Sequence, residues 1–132
     1  MHHTQIRPRF CDTDALGHLN NTSYFAYMEE ARIQLFNDLE LINADQPLHD
    51  WPYVLVSTNC EYKKQGYFGI EITLESKVKH IGTSSFTLSH TIINGNTAIA
   101  TGEAVVVQLD TEKGKATPLS EEVKSRLARY VV

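Results

Sequence analysis

The sequence predicts an α+β domain: one long central helix wrapped by an antiparallel sheet of about five strands. Three observations lead there. One stretch in the N-terminal third carries apolar residues at helical spacing. After Pro52 the period switches to the two-residue alternation of strands. Asn94-Gly95 then supplies a hairpin turn between two alternating runs, because both residues tolerate positive φ.

Taken in order, residues 4–11 are strand-like, with Ile6 and Phe10 as apolar positions and Pro8 marking an edge. A polar, glycine-containing loop occupies 12–21. Tyr24, Tyr27, Met28, Ala31, Leu35 and Leu39 then recur at spacings of three and four, and Phe25, Ile33 and Phe36 widen the stripe. So broad an apolar surface predicts a helix covered on most sides. Asn20, Asn21 or Thr22 is suited to cap its start. Residues 42–52 form a loop broken by Pro47 and Pro52.

Tyr53–Tyr62 reads as the next strand. Ile70, Ile72, Leu74, Ser76 and Val78 alternate with Glu71, Thr73, Glu75, Lys77 and Lys79, which predicts a half-solvated strand. Phe86, Leu88, His90 and Ile92 repeat the pattern. Residues 97–109 form a long last strand, with Gly102 as a candidate bulge. A turn at Gly114 leads to a short helix, capped by Ser120, with Glu121 and Glu122 at its start and Arg126 and Arg129 at its end. The sheet covers one side of the long helix well. The remaining helix surface and the sheet edges predict a homodimer or homotetramer.

Length and composition agree with one domain over 1–132: 132 residues, 42% hydrophobic, leave no room for a second core. Twelve basic against 16 acidic residues give a net charge of -4, which argues against nonspecific nucleic-acid binding. One local basic patch for a small phosphorylated ligand remains compatible. No apolar run approaches the roughly 20 residues that span a bilayer. Met1-His2-His3-Thr4-Gln5-Ile6-Arg7 lacks the apolar core of a secretory signal. Cys11 and Cys60 have no metal-ligand spacing, so the chain reads as cytoplasmic with two free thiols. Cys11 is weighed as a reactive thiol, but a small strand-filling residue is the better reading. His2 and His3 are assigned no chemistry.

Chemistry concentrates in Asp12-Thr13-Asp14-Ala15-Leu16-Gly17-His18-Leu19-Asn20-Asn21. Two acids, a histidine, a glycine and two amides in ten positions exceed what a turn needs. The longer run from Arg9 to Tyr24, followed by Glu29-Glu30-Ala31-Arg32, resembles the hallmark of the 4-hydroxybenzoyl-CoA thioesterase family of hotdog proteins. Val78-Lys79-His80-Ile81-Gly82-Thr83-Ser84-Ser85-Phe86 resembles that family's turn between the third and fourth strands. The resemblance implies a helix wrapped by an antiparallel sheet, and dimers with sites at the subunit interface. It implies hydrolysis of acyl-CoA or acyl-carrier-protein thioesters with no metal or other cofactor. It makes Asp14, the second acid of D-x-D-x-x-G, the catalytic carboxylate. Several relatives carry a histidine at the position of Asn21, whereas here the histidine is His18.

The residues support that chemistry on their own. A thioester carbonyl is electrophilic, so it needs only a carboxylate to attack it or to deprotonate water. It also needs donors for the oxygen that gains charge, and a helix N-terminus offers them. Asp14 precedes such a terminus, Gly17 lets the loop fold tightly, and Asn20 or Asn21 holds the loop or the water. A loop-bracing Asx turn is the plain alternative for Asp14. Asp12 reads as structural, and His18 equally as loop brace or substrate contact. Asn20 and Asn21 read as caps before catalysts, and Glu29 with Arg32 as a structural ion pair. Tyr24 and Tyr27 line the core or the pocket, and Phe25, Trp51 and Tyr53 are candidates for either. Asp12, Asp14 and His18 do not form a recognised metal-ligand set. Among Lys63, Lys64, Lys77, Lys79 and His80, most belong to a solvated face. Lys79, His80 and the Gly82-Thr83-Ser84 turn are the choices for phosphate or pantetheine contact. Two other functions compete: a non-catalytic acyl-thioester-binding module, and a hotdog enoyl-thioester hydratase.

Overall fold

The computed structural model describes residues 1–42 and 51–131. Most of the loop expected over 42–52 lies outside them. The elements are β1 (His2–Ile6), a 3-10 turn (Phe10–Asp12), α1 (Ser23–Asp38), β2 (Tyr53–Tyr62), β3 (Ile72–Ile81), β4 (Ser85–Asn94), β5 (Thr97–Asp110), β6 (Lys115–Ala116) and α2 (Glu121–Ala128). The sheet order is β1-β3-β4-β5-β2, with β6 paired to the end of β5 and every pairing antiparallel. This is the α+β architecture expected. No helix among the described residues is long and apolar enough to cross a membrane.

β1 is shorter than 4–11. Pro8 has no N–H for a ladder, and the Asp12 side chain captures the Arg9 amide at 2.9 Å and winds the chain into the 3-10 turn. The next misplaced boundary is at Ile70 and Glu71, which precede β3 in a turn closed by the Gly95 amide on the Glu71 carbonyl. Gly102 is not a bulge. It pairs in register with His90 on one side and Cys60 on the other, and the register shifts fall at Leu55/Ser57, Val78/His80 and Ile92/Ile93. Gly102 is required instead because a side chain there would meet the Met28 sulfur and the Asn59 carbonyl.

α1 is buried on one face within the chain, not on most sides. Tyr24, Tyr27, Met28, Ala31, Arg32, Leu35 and Phe36 face the sheet, while Phe25, Glu29, Glu30 and Gln34 face outward. Its contacts run to β1, β3 and β4. The core under it forms two apolar clusters. One joins Tyr24, Tyr27, Met28, Leu74, Ile92 and Ile99. The other joins Leu35, Phe36, Val78, Phe86, Leu88 and Leu127.

A polar row crosses the same face of the sheet. His2 is opposite Ser76, and Ser76 is opposite His90. All three are buried, and Ser76 Oγ lies 2.7 Å from His90 Nδ1. Arg32 is the buried cation of this region. Burial above all, with the charges of Arg32 and His2 beside it, lowers the His90 pKa to about 4. His2, given no chemistry from the sequence, joins β1 to the end of α1 through Asp38 at 2.6 Å.

β2 is one of the two edge strands of this order, and Val54, Leu55, Val56 and Tyr62 on it are exposed. At the other side, the bulge at Lys79 lets the Val78 amide reach the Tyr130 carbonyl at 3.0 Å, which ties the chain's C-terminal segment to β3. Ser120 caps α2 by accepting from the Val123 amide at 3.2 Å, as expected.

Candidate active site

The loop after the 3-10 turn is held by its own backbone. The Asp14 amide donates to the His18 carbonyl at 2.8 Å, and the Gly17 amide donates to the Asp14 carbonyl at 3.2 Å. Gly17 sits at φ +80°, where a side chain is disfavoured. Asp14 is exposed. Its Oδ1 accepts from the Leu16 amide at 2.9 Å and the His18 amide at 3.2 Å. That is the Asx turn weighed from the sequence. Its Oδ2 accepts no hydrogen bond among the described residues. The carboxylate is therefore fixed by one oxygen and presents the other.

Asp12 is turned the opposite way. It is buried and accepts from the Arg9 amide, the Arg9 guanidinium at 3.0 Å and the Tyr27 hydroxyl at 2.9 Å. Burial works to raise its pKa. The Arg9 amide, the guanidinium and the Tyr27 hydroxyl outweigh it and hold the carboxyl below the usual range. Tyr27 is raised, first by burial and then by donating to Asp12. The Asp12 carbonyl also accepts from the Asn20 amide at 2.7 Å and the Ser23 hydroxyl at 2.9 Å. Asp12 thus fastens the loop to the start of α1.

At that start, Thr22 occupies the cap position without a side-chain cap bond. Asn20 Oδ1 accepts from the Thr22 amide and hydroxyl at 3.0 and 2.9 Å. The Asn21 carbonyl accepts from the Tyr62 hydroxyl at 2.7 Å. Tyr24 is buried, its hydroxyl pKa raised by burial. A cavity of about 330 Å³ opens here, lined by Leu19, Asn21, Tyr24, Tyr62, Lys63 and Lys64 among others. His18 is half-buried, bridged through its backbone to Tyr67, with the two rings edge-on at 5.3 Å.

Asp14, Gly17, His18, Asn20, Asn21 and Tyr24 therefore come together around one loop and one helix start. Lys79, His80, Gly82, Thr83 and Ser84 do not join them within the chain. Lys79 and His80 lie toward the far end of β3, about 23 Å or more along the strand from Ile72, and Gly82, Thr83 and Ser84 follow in the turn beyond it. Lys79 is paired with Glu103 at 2.6 Å. The carbonyls of Thr83 and Ser84 hold the Leu119 and Gln108 amides at 2.8 Å each.

Cys11 does not fill a strand. It is exposed in the 3-10 turn, its sulfur 4.0 Å from Asp12 Oδ1. Arg32 and Glu29 meet only at 4.0 Å, Arg32 buried and Glu29 exposed. Trp51 and Tyr53 pack on the second apolar cluster, whereas Phe25 is exposed. Among the described residues no group of three or more His, Cys, Asp or Glu side chains is arranged to hold a metal ion.

Tyr62, Gly66, Tyr67 and Phe68 were not singled out by sequence reasoning. The available signal is the aromatic pair Tyr67-Phe68 set between two glycines in a polar connection. Gly66 is needed for close approach. Its carbonyl accepts from the Leu19 amide at 2.8 Å, and an added Cβ would lie 2.7 Å from Leu19 and 3.0 Å from the Tyr24 hydroxyl.

The model of the thioesterase-like superfamily matches residues 8–127. The chain is 33% identical over 124 residues to the protein YsmA of Bacillus subtilis (strain 168), covering 93% of this chain and 82% of YsmA. It is 27% identical over 132 residues to the long-chain acyl-CoA thioesterase FadM of Escherichia coli (strain K12), covering 97% and 98% of the two chains. Among solved structures, a predicted thioesterase from Bacillus stearothermophilus superimposes with a TM-score of 0.90 at 28% identity, over 98% of this chain and 96% of that one.

Proposed function

The chain belongs to the thioesterase-like superfamily, and from that premise we propose that it is an acyl-CoA thioesterase with Asp14 as the catalytic carboxylate. Within the superfamily, the resemblance of the run from Arg9 to Tyr24 supports a place with the 4-hydroxybenzoyl-CoA thioesterase type of hotdog protein. The observation that carries the reading is the Asp14 carboxylate: Oδ1 tied to two amides, Oδ2 exposed and unbonded among the described residues, a few residues before the start of α1.

Water adds its oxygen to the acyl carbon, the carbon–sulfur bond breaks, and the thiolate leaves and takes a proton. Asp14 serves in one of two ways. It accepts the proton of the attacking water, or it attacks first and the acyl-aspartyl anhydride is hydrolysed. The first turn of α1, whose cap residue makes no side-chain bond, supplies backbone N–H groups and a positive dipole end a few residues after Asp14. The substrate carrier is CoA, as FadM's name supports, and an acyl-carrier protein is the other candidate.

The working unit is a homodimer paired through β2, formed by one domain spanning 1–132 in the cytoplasm, where its two thiols stay reduced. No strand among the described residues pairs with the outer edge of β2, and its exposed apolar residues suit burial against a second copy. Tyr53 aligns with Gln108 near the Gly82–Ser84 turn, and Tyr62 aligns with Ala100 near the Asn21 cavity. A two-fold, antiparallel β2 pairing sets the Tyr53 end of one copy beside the Tyr62 end of the other. Lys79, His80, Gly82, Thr83 and Ser84 then serve the site of the partner copy.

The test is thiol release from a panel of acyl-CoAs by the native protein and Asp14→Asn. Hydrolysis by the first and collapse in the second supports the proposal. Equal rates remove Asp14 as the catalyst. Retained acyl-CoA with no release in either protein supports the binding-module reading.

A further inference from the structure

The turn into α1 carries two asparagines with different work. Asn20 is spent on the turn: its Oδ1 accepts from the Thr22 amide and hydroxyl, its carbonyl accepts from the Ser23 amide, and its own amide donates to the Asp12 carbonyl. The Asn21 side chain is exposed, makes no hydrogen bond among the described residues, and lines the cavity of about 330 Å³ beside Tyr24. What holds Asn21 is its carbonyl, which accepts from the Tyr62 hydroxyl at 2.7 Å. We propose that Tyr62 is a positioning residue for the reaction: it fixes the Asn21 backbone so that the Asn21 carboxamide donates to the thioester oxygen as that oxygen gains charge. The inference rests on the thioester hydrolysis proposed above and adds a residue to its machinery.

One short antiparallel ladder carries both Asp14 and Asn21. The Asn20 amide donates to the Asp12 carbonyl, Thr13 is bridged to Leu19, and the Asp14 amide donates to the His18 carbonyl. Asn21 follows at one end of this ladder, and the Asp14 carboxylate stands at the other. Leu19, between them, lines the same cavity as Asn21. A thioester needs two groups of opposite character, a carboxylate for the carbon and a donor for the oxygen. A carboxamide supplies two N–H donors and stays uncharged.

Tyr62 suits the task because it refers Asn21 to the sheet. A peptide unit is planar, with its carbonyl and N–H pointing opposite ways. The unit joining Asn21 to Thr22 is bound at both ends, its carbonyl by Tyr62 at 2.7 Å and its N–H by Asn20 Oδ1 at 3.0 Å. Two bonds on opposite sides of one plane resist its rotation, and with it the swing of the Asn21 side chain. Tyr62 is set in turn by the ladder of β2 with β5. It is paired with Ala100, and beyond it the Lys63 and Lys64 amides both donate to the Ile99 carbonyl, at 2.8 and 3.1 Å. A group held from a strand is placed more exactly than one held by a loop alone. The Tyr62 ring also packs on buried Tyr24, with centroids 5.0 Å apart. That packing needs only the ring; the hydroxyl adds the hold on Asn21.

The experiment is a double-mutant cycle on kcat and KM for hydrolysis of octanoyl-CoA by the native protein, Tyr62→Phe, Asn21→Ala and the pair. Asn21→Ala removes the donor and lowers kcat by about 10²–10³. Tyr62→Phe keeps the ring and lowers kcat by up to about 10², with KM and the melting temperature nearly unchanged. The pair is no slower than Asn21→Ala alone, because Tyr62 acts through Asn21. Losses that multiply in the pair overturn the proposal, and so does an unchanged kcat in Tyr62→Phe. A fall in kcat with a smaller sedimentation coefficient overturns it too, since Tyr62 then acts in subunit pairing. Nuclear magnetic resonance separates this inference from the reaction itself. The Asn21 carboxamide signals are identified by their loss in Asn21→Ala. If the native protein hydrolyses nothing, yet Tyr62→Phe broadens or doubles those signals, the hold on Asn21 stands and hydrolysis falls. Signals identical in native protein and Tyr62→Phe remove the hold.

Discussion

Asp12 and Asp14 are separated by one residue and occupy opposite environments. Asp12 turns inward, its Oδ2 2.9 Å from the Tyr27 hydroxyl, and Asp14 turns outward, its Oδ1 2.9 Å from the Leu16 amide. The 3-10 turn and the positive φ of Gly17 produce this division. One acid holds the loop, and the other is available for chemistry.

Substitution of the two acids should therefore separate stability from activity. Asp14→Asn keeps an oxygen for the Leu16 and His18 amides, so the melting temperature should hold while kcat falls by about 10²–10⁴. Asp12→Ala removes the acceptor of three donors, two of them buried or backbone, and should cost about 2–3 kcal/mol. Thiol release and urea unfolding of both variants check the pair.

The buried His90 sets a pH dependence of stability. Its pKa is about 4 in the fold and about 6.5 in an unfolded chain. Between those values the unfolded chain binds a proton that the folded chain refuses, so stability falls with falling pH. His90 contributes fully above about pH 6.5, and the loss reaches about 3 kcal/mol near pH 4. Urea titrations at pH 7, 5.5 and 4.5 should show that decline, and His90→Gln should flatten it.

Gly102 should not accept alanine. The Met28 side chain can turn aside, but the Asn59 carbonyl 2.6 Å from the added Cβ is ladder backbone. Gly102→Ala should cost about 1–3 kcal/mol, read from the urea midpoint, with no change in α-helical circular dichroism.

Val56→Lys on the exposed stretch of β2 should convert a dimer to a monomer, because a charge at a pairing edge opposes strand addition. Sedimentation velocity checks the mass. Activity should fall with dimer content, since the proposed site draws Lys79, His80 and the Gly82–Ser84 turn from the partner.

The helix, the sheet and the Asp14 loop were legible because each depends on neighbours in sequence. The three-and-four spacing of Tyr24, Tyr27, Met28, Ala31 and Leu35 fixes a helical face, and Asn94-Gly95 fixes a hairpin. The extent of β1 was misread because Asp12 competes for the Arg9 amide, a local contest that strand-like side chains conceal. The burial of His2, the polar row and the neighbours of Gly102 were not legible. Their partners come from strands 14 to 74 positions apart, and only the register places them side by side. The edge-on contact of Phe10 with Phe68 escaped notice for the same reason: the two lie 58 positions apart.

The row His2–Ser76–His90 lies between two apolar clusters, and this partition has a consequence for how the protein tolerates change. Tyr24, Met28 and Ile99 on one side share no cluster with Phe36, Phe86 and Leu127 on the other. Paired substitutions taken one from each side should add, whereas pairs within one side should couple. The half beneath the Asp14 loop is thereby free to accumulate substitutions while the other half keeps the sheet together.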